Sequence, residues 1–482
     1  MHQLNNSLRF SASDLVGHLD CHHLTALDAA VARGSITKPK IWDPVLQTLV
    51  ERGLAHEREY VETLKKSGLS VVEITGGGIN TSQVDQTLAA MRSGADAIVQ
   101  GALLNGAWSG RTDILRRVET PSALGAWSYE VIDTKLARET KGATVLQLSL
   151  YADLVSAVQG RMPEHMYVVT PGSGFEPERY RTADFAAYYR RARAGLEHFL
   201  AQGSSQAATY PEPNVHCDLC AWRVPCDRQR RDDDHLCLVA GISKVQMNEL
   251  RGQAVSTLAE LAQMPLPIQW KPERGSGASY ERIREQARIQ LEGRTSGKPV
   301  YETLAVFKDL GLSRLPAPSP GDVFFDLEGD PFIEDGGLEY LFGYSFDDAG
   351  MQYRGDWAVS REEEKRAFES FVDFAMARWE KYPDFHIYHY APYEPGALKR
   401  LMGRYASREE EIDRMLHGQL FVDLYQIVRH AIRASVESYS IKELERFVGF
   451  DRTTQLADAS RALAHIQTAL ELKDPEAVTQ EL

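Results

Sequence analysis

Hydrophobic and polar positions in the first 160 residues predict a mixture of helices and strands. The stretch "LVERGLAHEREYVETLKKSG" has apolar residues at three- and four-residue spacing, which predicts an amphipathic helix that carries His56. "AIVQGALLNGAWSGRTDILRRVE" predicts a β-hairpin with Asn105-Gly106 as the turn signal. A third strand, "AWSYEVIDTKLA", follows, and "TVLQLSLYADLVSAV" predicts a second helix.

The rest of the chain has two other patterns. Residues from about 236 to 300 show helical periodicity only, and the linker "SRLPAPSPGD" then precedes the apolar strand "VFFDLEGD". Strands and helices alternate from there to residue 482. We therefore predict an α/β multidomain protein with domains at 1–235, 236–300 and 318–482, of which the middle one is a small all-helical connector.

Composition narrows the class of protein. A composition of 43% hydrophobic and 25% charged residues is typical of a folded protein. We identify neither a secretory signal nor an apolar run long enough to span a membrane. Five cysteines, an odd number, argue against a secreted disulfide scaffold, so we predict a cytoplasmic protein with no membrane partner.

Charge is distributed unevenly. Residues 1–240 carry 25 Lys and Arg against 28 Asp and Glu, which leaves −11 of the net charge of −14 on the remainder. This balance weakly disfavours nucleic-acid binding, although a local basic groove is sufficient for it.

Two acids and a lysine form the first candidate site. Strand alternation puts Asp133 and Lys135 on one face, and Asp113 lies on the preceding predicted strand. Neighbouring carboxylates suit Mg²⁺ or Mn²⁺, and a lysine beside them orients or deprotonates a water and offsets charge during phosphodiester hydrolysis. Glu130 is one residue out of phase and is a reserve acid. A D-x-K sequence taken alone is more often a solvent-exposed strand edge.

The ordered set of motifs "GLAHE", "GRTDIL", "YEVIDTK" and "QLSLY" resembles the RecB-type branch of the PD-(D/E)XK nuclease superfamily. The resemblance implies a restriction-endonuclease-like core in the first domain. It assigns the metal ligands His56, Asp113 and Asp133, the catalytic lysine Lys135, and Gln147 and Tyr151 as residues that position DNA or the lysine.

Three cysteines in "HCDLCAWRVPC", Cys217, Cys220 and Cys226, have the spacing of metal ligands. Spacing alone predicts zinc, with Cys237 or a nearby histidine as the fourth ligand. Nucleases of the AddB and CRISPR-adaptation exonuclease type, which the chain resembles, have one cysteine before the core and three after it. The resemblance implies a structural [4Fe–4S] cluster on Cys21 and these three, with Cys237 as a spare thiol. A structural zinc remains the alternative.

The third predicted domain carries a second acidic pair. Asp326 and Glu328 in "DVFFDLEGDPF" resemble the opening motif of DEDD exonucleases, which have an RNase H-like fold and hold two metal ions with four acids. "DFHIYHYAPYEPGALKRL" resembles their second motif, with Glu394 in the place of the usual Asp and His389 in that of Asn. The final motif is not found, since Asp474 lacks the expected partner. We therefore expect this domain to be truncated at its C-terminus.

The whole arrangement resembles bacterial RecB-family nuclease-helicase proteins, which implies a helicase domain in the same longer polypeptide. The chain itself has no G-x-x-x-x-G-K-[ST] motif. We predict a Mg²⁺- or Mn²⁺-dependent nuclease that acts on DNA rather than RNA, as an exonuclease on single-stranded or processed ends, in repair, recombination or defence. The alternative is a non-catalytic nucleic-acid-binding or assembly module. The connector is a spacer or a helix–hairpin–helix-like DNA-backbone binder.

Overall fold

The computed structural model describes residues 1–4, 7–40, 44–137, 140–171, 173–202, 209–330, 333 and 336–450. Asp474 lies outside the described residues. The chain divides into two compact units, Met1–Arg228 and Gln229–Leu482. None of the helices in the described ranges is both long and apolar enough to cross a membrane.

A mixed six-stranded sheet is the centre of the first unit. Its long central hairpin turns at Gly106, whose positive φ of 59° suits a two-residue turn. The first strand in spatial order is parallel to the second, and the fifth is parallel to the fourth. The sixth strand, at the other edge, is antiparallel to the fifth. In spatial order the strands are β3 (Val71–Glu73), β4 (Ala97–Asn105), β5 (Trp108–Val118), β6 (Ser128–Thr134), β7 (His165–Val169) and β8 (Glu178–Arg181), and β1 (His2–Leu4) and β2 (Ser7–Arg9) form a separate hairpin.

Helices cover both faces of this sheet. One face packs against a nearly all-apolar helix that supplies Leu148, Leu150 and Leu154 to the larger hydrophobic core, and the other packs against Tyr60 and Val61 of a longer amphipathic helix. The helices are α1 (Ala12–Asp20), α2 (His22–Ala32), α3 (Pro44–Lys66), α4 (Thr81–Ser93), α5 (Gly142–Gln159), α6 (Thr182–Ala201) and α7 (Arg223–Asp232), and the division between the units falls in α7.

The second unit begins with short helices packed around their own core, which includes Leu250, Leu261 and Tyr280. All three helices start with capping boxes, at Ser243, Thr257 and Ser276. A short strand after them pairs with a strand near residue 433, so the helical part shares a two-stranded sheet with the rest of the unit. These elements are α8 (Lys244–Gly252), α9 (Leu258–Gln263), α10 (Gly277–Ser296), β9 (Tyr301–Thr303) and β15 (Ile432–Ala434).

A five-stranded mixed sheet forms the remainder of the second unit. In spatial order it consists of β12 (Met351–Trp357), β11 (Leu338–Asp347), β10 (Val323–Asp330), β13 (Ile387–His389) and β14 (Phe421–Asp423). Phe325 stacks on Phe371, so the long helix of this region covers the sheet face opposite to Asp326 and Glu328. The helices are α11 (Arg361–Lys381), α12 (Tyr393–Tyr405), α13 (Glu409–His417), α14 (Leu424–Ala431) and α15 (Ile441–Leu444).

The predicted fold class is confirmed: the described residues form a mixed α/β multidomain structure with a six-stranded sheet, a five-stranded sheet and, between these in sequence, a helical region. The boundaries at 235, 300 and 318 stay predictions. The described part of the predicted connector and the second sheet lie within one compact unit.

Candidate active sites

Asp113 and Asp133 meet on the central antiparallel strands of the first sheet. Because Ile114 pairs with Ile132, the two acids occupy adjacent positions on one face. The backbone N–H and hydroxyl of Thr134 donate to Asp113 Oδ2 at 2.8 and 2.9 Å. Lys135 Nζ lies 2.6 Å from Asp133 Oδ2. The structure therefore brings the two predicted acids and the predicted lysine into one group.

Asp133 is the most constrained member of this group. Its side chain is 0% exposed, and burial together with the charge of Asp113 raises its pKa well above the usual value, against the opposing effect of Lys135. Oδ2 is buried, and the Lys135 ammonium group, which lies 2.6 Å away, is its close partner. A buried carboxylate beside a second acid suits a divalent metal, which takes oxygen ligands of this kind.

Gln147 and Tyr151 connect α5 to the acids. The Gln147 amide donates to Asp133 Oδ1 at 3.1 Å, and Gln147 Nε2 is 3.2 Å from the Tyr151 hydroxyl. Their four-residue separation places both on the helix face that packs on the sheet. Burial and the two acids raise the pKa of Tyr151, which stays protonated. Both residues thus hold the buried acid in place rather than exchange protons.

His56 and Glu57 reach the site from α3 in different ways. The carbonyl oxygen of Val169 accepts from His56 Nε2 at 3.2 Å, so this nitrogen carries the proton and Nδ1 keeps the lone pair. A bond of this type orients many metal-binding histidines. Glu57 was missed by sequence reasoning. Burial and the charge of Asp113 raise the Glu57 pKa, which shows that its carboxylate faces the acid pair.

Gln100 positions Glu57. Its amide donates to Glu57 Oε1 at 2.5 Å, and it has a φ of 56° at an irregularity in β4 opposite Asp113. A left-handed residue inside a strand costs free energy and is common beside functional sites. The signal that would have found Glu57 is its position next to His56 in "GLAHE", although helical periodicity does not say which of the two faces the strands.

Glu130, the reserve acid, points away from the site. Its carboxylate accepts from the backbone N–H of His165 at 2.9 Å and from the Tyr167 hydroxyl at 2.8 Å. These partners satisfy it on the opposite face of β6 from Asp133. The structure therefore gives Glu130 a structural role.

Three of the four predicted cluster cysteines lie together. Burial raises the pKa of Cys220, and the neighbouring Cys217 and Cys21 raise it further, against the hydrogen bond from the Trp222 N–H. The contact between the two ends of the unit continues beyond the thiols, because the Asn214 amide donates to the carbonyl oxygen of Asp20 at 3.1 Å. Residues almost two hundred positions apart thus lie side by side.

The thiols have surroundings that suit metal-bound thiolates. Backbone N–H groups of Leu24, Asn214 and Trp222 point at the sulfurs of Cys21, Cys217 and Cys220 at 3.3, 3.5 and 3.4 Å. Cys226 lies in the first turns of α7, and its N–H donates to the Trp222 carbonyl. These N–H contacts involve three of the four cysteines that the resemblance assigns to a cluster.

Cys237, the fourth ligand that spacing alone predicts, packs in the second unit beside the core of the helical region. His23, close to Cys21 in sequence, is buried, and its Nδ1 lies 2.8 Å from the Thr209 hydroxyl. Within the ranges that the structure describes, no group of three or more His, Cys, Asp or Glu side chains has the geometry of a metal site. Metal binding at these residues is therefore a proposal.

Asp326, Glu328 and Glu394 form a second acidic group on the open face of β10. Partial burial and the charges of Glu328 and Glu394 raise the pKa of Asp326 to about 6. Burial likewise raises the pKa of Glu328, against the charge of Lys442. Glu394 is buried at the start of α12, and its Oε2 accepts no hydrogen bond. The structure therefore brings all three predicted acids together, again with a buried carboxylate oxygen that fits a metal.

His389 stands at the edge of this group. Its Nδ1 is 2.6 Å from the carbonyl oxygen of Ala391 and 3.4 Å from Glu394 Oε2. Although burial favours the neutral ring, these partners raise its pKa. Asp423 lies on the neighbouring strand β14, directly opposite His389. Its carboxylate accepts from the Ala391 N–H and caps the N-terminus of α14. Sequence reasoning did not assign Asp423, which has the conventional signature of a helix cap.

Paired acids and a lysine on one mixed sheet, and clustered acids on a second sheet later in the chain, are an arrangement typical of nucleases. Residues 20–227 match the family model of the PD-(D/E)XK nuclease superfamily, and residues 323–480 match that of the RNase H superfamily. The protein therefore carries one domain of each superfamily. Both superfamilies hydrolyse phosphodiester bonds and generally depend on metal ions, which supports a nuclease function. A search of the curated proteins gave no significant match to the chain.

Proposed function

We propose that this protein is a Mg²⁺- or Mn²⁺-dependent DNA nuclease that cuts at the Asp113–Asp133–Lys135 site. The observation that carries the proposal is the fully buried Asp133 carboxylate, which lies beside Asp113 and has Lys135 Nζ 2.6 Å from its Oδ2. A carboxylate is retained in such a place at a cost in stability, which points to a functional role.

Each residue of this site would have its own role in phosphodiester hydrolysis. Asp113 and Asp133 would hold the metal ion, with Glu57 or His56 Nδ1 as a further ligand. The bound ion would polarise the phosphate and lower the pKa of an attacking water. Lys135, 30% exposed, reaches from the buried acid to solvent, so its ammonium group orients that water or offsets charge on the phosphate. Gln147 donates to Asp133 Oδ1 and so holds the carboxylate in one orientation.

Cys21, Cys217, Cys220 and Cys226 would hold a structural [4Fe–4S] cluster. Support comes from the proximity of the first three thiols and from the N–H groups directed at their sulfurs. The cluster would join the two ends of the first unit and take no part in hydrolysis.

The acids Asp326, Glu328 and Glu394 would form a second metal-dependent site of the RNase H type. We propose exonuclease action on single-stranded or processed DNA ends, in repair, recombination or defence, in a cytoplasmic protein that works with a helicase domain. Support for these finer points comes from the resemblance to RecB-family proteins and from the two nuclease superfamily domains.

Cleavage of end-labelled single- and double-stranded DNA with Mg²⁺ or Mn²⁺ tests the proposal. Asp133→Asn should reduce cleavage at least about a hundredfold, because it removes a metal ligand. Glu130→Gln, a matched change at an acid of the same strand, should leave it unchanged, and Asp326→Asn measures the share of the second site. Wild-type protein that binds DNA and leaves it intact would instead be the non-catalytic module.

A further inference from the structure

Two cavities in the second unit lie between the helical region and the elements around α14. One measures about 400 Å³ and the other about 380 Å³, and both have Glu437 in the wall. Each is large enough for about one nucleotide. The walls come from α8 and α10 on one side and from α14, β15 and the segment after it on the other.

The linings are basic although residues 241–482 are acidic as a whole. They contain two carboxylates, Glu437 and Glu443, against seven lysine and arginine side chains. The seven are Arg231, Arg282, Arg294, Lys298, Arg429, Arg433 and Arg446. A concentration of positive charge in an acidic region attracts a polyanion to that place.

Part of this charge is not neutralised by the protein. Four of the arginines pair with acids, as in the double contact of Arg231 with Glu437 at 2.8 and 2.9 Å. Among the described residues, no carboxylate lies within ion-pair distance of Arg282, Lys298 or Arg429. The Arg429 guanidinium instead lies 5.4 Å from the centre of the Tyr425 ring, with its edge open to other partners. All three cations are exposed at the surface.

Two segments of the cavity walls also approach the second acidic group. Tyr425 lines one cavity and stands two residues after Asp423, which is in register with His389 beside Glu394. The segment from Glu437 to Arg446 contributes to both cavities and includes Lys442, whose charge acts on Glu328. The wall segment therefore also carries a cation close to the acids.

We propose that Arg282, Lys298 and Arg429, here called the basic cleft, bind the phosphodiester backbone of a single-stranded nucleic acid and lead it to Asp326 and Glu328. A basic groove that follows the backbone is the usual way to bind a single strand without reading its sequence. This inference rests on the proposed nuclease function and assigns part of the substrate contact to the helical region.

Fluorescence anisotropy with a labelled 20-nucleotide dT strand tests the basic cleft on the full chain carrying Asp133→Asn, and EDTA removes the metal ions of both proposed sites so that nothing is cut. Arg282→Glu with Arg429→Glu should weaken binding roughly tenfold or more, and the salt dependence of log K should become shallower by about 1.4, since each phosphate contact contributes about 0.7 for single strands. Arg366→Glu is the matched control, because Arg366 is exposed on α11, which covers the sheet face opposite to the acids.

A photo-crosslinking amino acid at Ser438, which lines the cleft, provides a second measurement. It should form a crosslink to the strand, and the same amino acid at Arg366 should not. Unchanged affinity and salt dependence in the double variant, or no crosslink from Ser438, would overturn the inference. Binding is measured in EDTA and so does not depend on cleavage. If the double variant loses binding and the wild-type protein shows no nuclease activity in Mg²⁺, the proposed function is refuted and the basic cleft is supported.

Discussion

Replacement of Lys135 by methionine isolates the contribution of one ion pair. Methionine keeps an unbranched side chain, and the change removes the ammonium group that lies 2.6 Å from Asp133 Oδ2. Removal of one partner from a fully buried pair costs about 3–5 kcal/mol. Lys135 is 30% exposed, and the carboxyl group can take up a proton, so we expect a smaller loss of about 1–3 kcal/mol in the free energy of unfolding.

The loss should depend on pH in a defined direction. The Asp133 pKa is raised in the folded protein, and loss of Lys135 raises it further. A carboxyl with a raised pKa binds its proton more tightly when folded, so stability falls as pH rises from the unfolded value near 4 toward the folded one. The variant should therefore approach wild-type stability near pH 4 and differ most at neutral pH.

Urea unfolding of a double-mutant cycle measures this effect. In an Asp133→Asn background the carboxylate is gone, so Lys135→Met should cost little, and the difference between backgrounds gives the coupling energy. Cleavage with Mg²⁺ should fall about 10²- to 10³-fold in Lys135→Met alone. The reasoning is wrong if the variant loses the same stability in both backgrounds, or if cleavage is unaffected.

Three further predictions concern the rest of the first unit. Cys21→Ala should abolish an absorption band near 400 nm in purified protein, whereas Cys237→Ala should retain it. Gly110→Ala should destabilise the unit by about 1–3 kcal/mol and reduce cleavage, because the added Cβ would lie 2.7 Å from the Tyr151 ring. His18 is buried with its pKa lowered to about 4 by burial and by the nearby His22, so its contribution to stability is complete above pH 6.5 and is lost as pH falls toward 4. Urea unfolding between pH 4.5 and 7 should show a shallower pH dependence in His18→Gln than in wild type.

Each of these predictions has a specific contradiction. A band that survives in Cys21→Ala would remove this residue from the ligand set. Gly142→Ala serves as the control for Gly110, since no atom lies within 4 Å of its added Cβ. Equal effects of the two substitutions would show that contact with Tyr151 is not the cause. Parallel pH profiles for wild type and His18→Gln would assign the acid sensitivity to other groups.

Strand periodicity was sufficient to predict much of the first site. Alternation along β6 placed Asp133 and Lys135 on one face and Glu130 on the other, and the structure has the first two 2.6 Å apart and the third among other partners. The hairpin signal at Asn105-Gly106 predicted the pairing of β4 with β5, the strand that carries Asp113. A period of two residues is a local property of the chain, so the sequence is sufficient to predict it.

Contacts between distant elements were beyond the same reasoning. Whether His56 or Glu57 faces the acids depends on how α3 rotates against the sheet, and helical periodicity leaves that angle open. The pairing of β9 with β15 joins three-residue strands that are 129 positions apart at Thr303 and Ile432, too short to give a pattern of their own. The proximity of Cys21 to Cys217 was expected only from the resemblance, because loop length does not predict closure.

The contact between Asp20 and Asn214 spans 194 positions, so it sets an order of events during synthesis. Translation at roughly 5–20 residues per second leaves an interval of roughly 10–40 seconds between the emergence of the two residues. Throughout that interval Cys21 is present without Cys217 and Cys220, and α2, which it caps, lacks the segment that it packs against. Closure of so long a loop then carries an entropic cost of about 5 kcal/mol. The first unit is consequently a domain whose N-terminal end is made first and completed last.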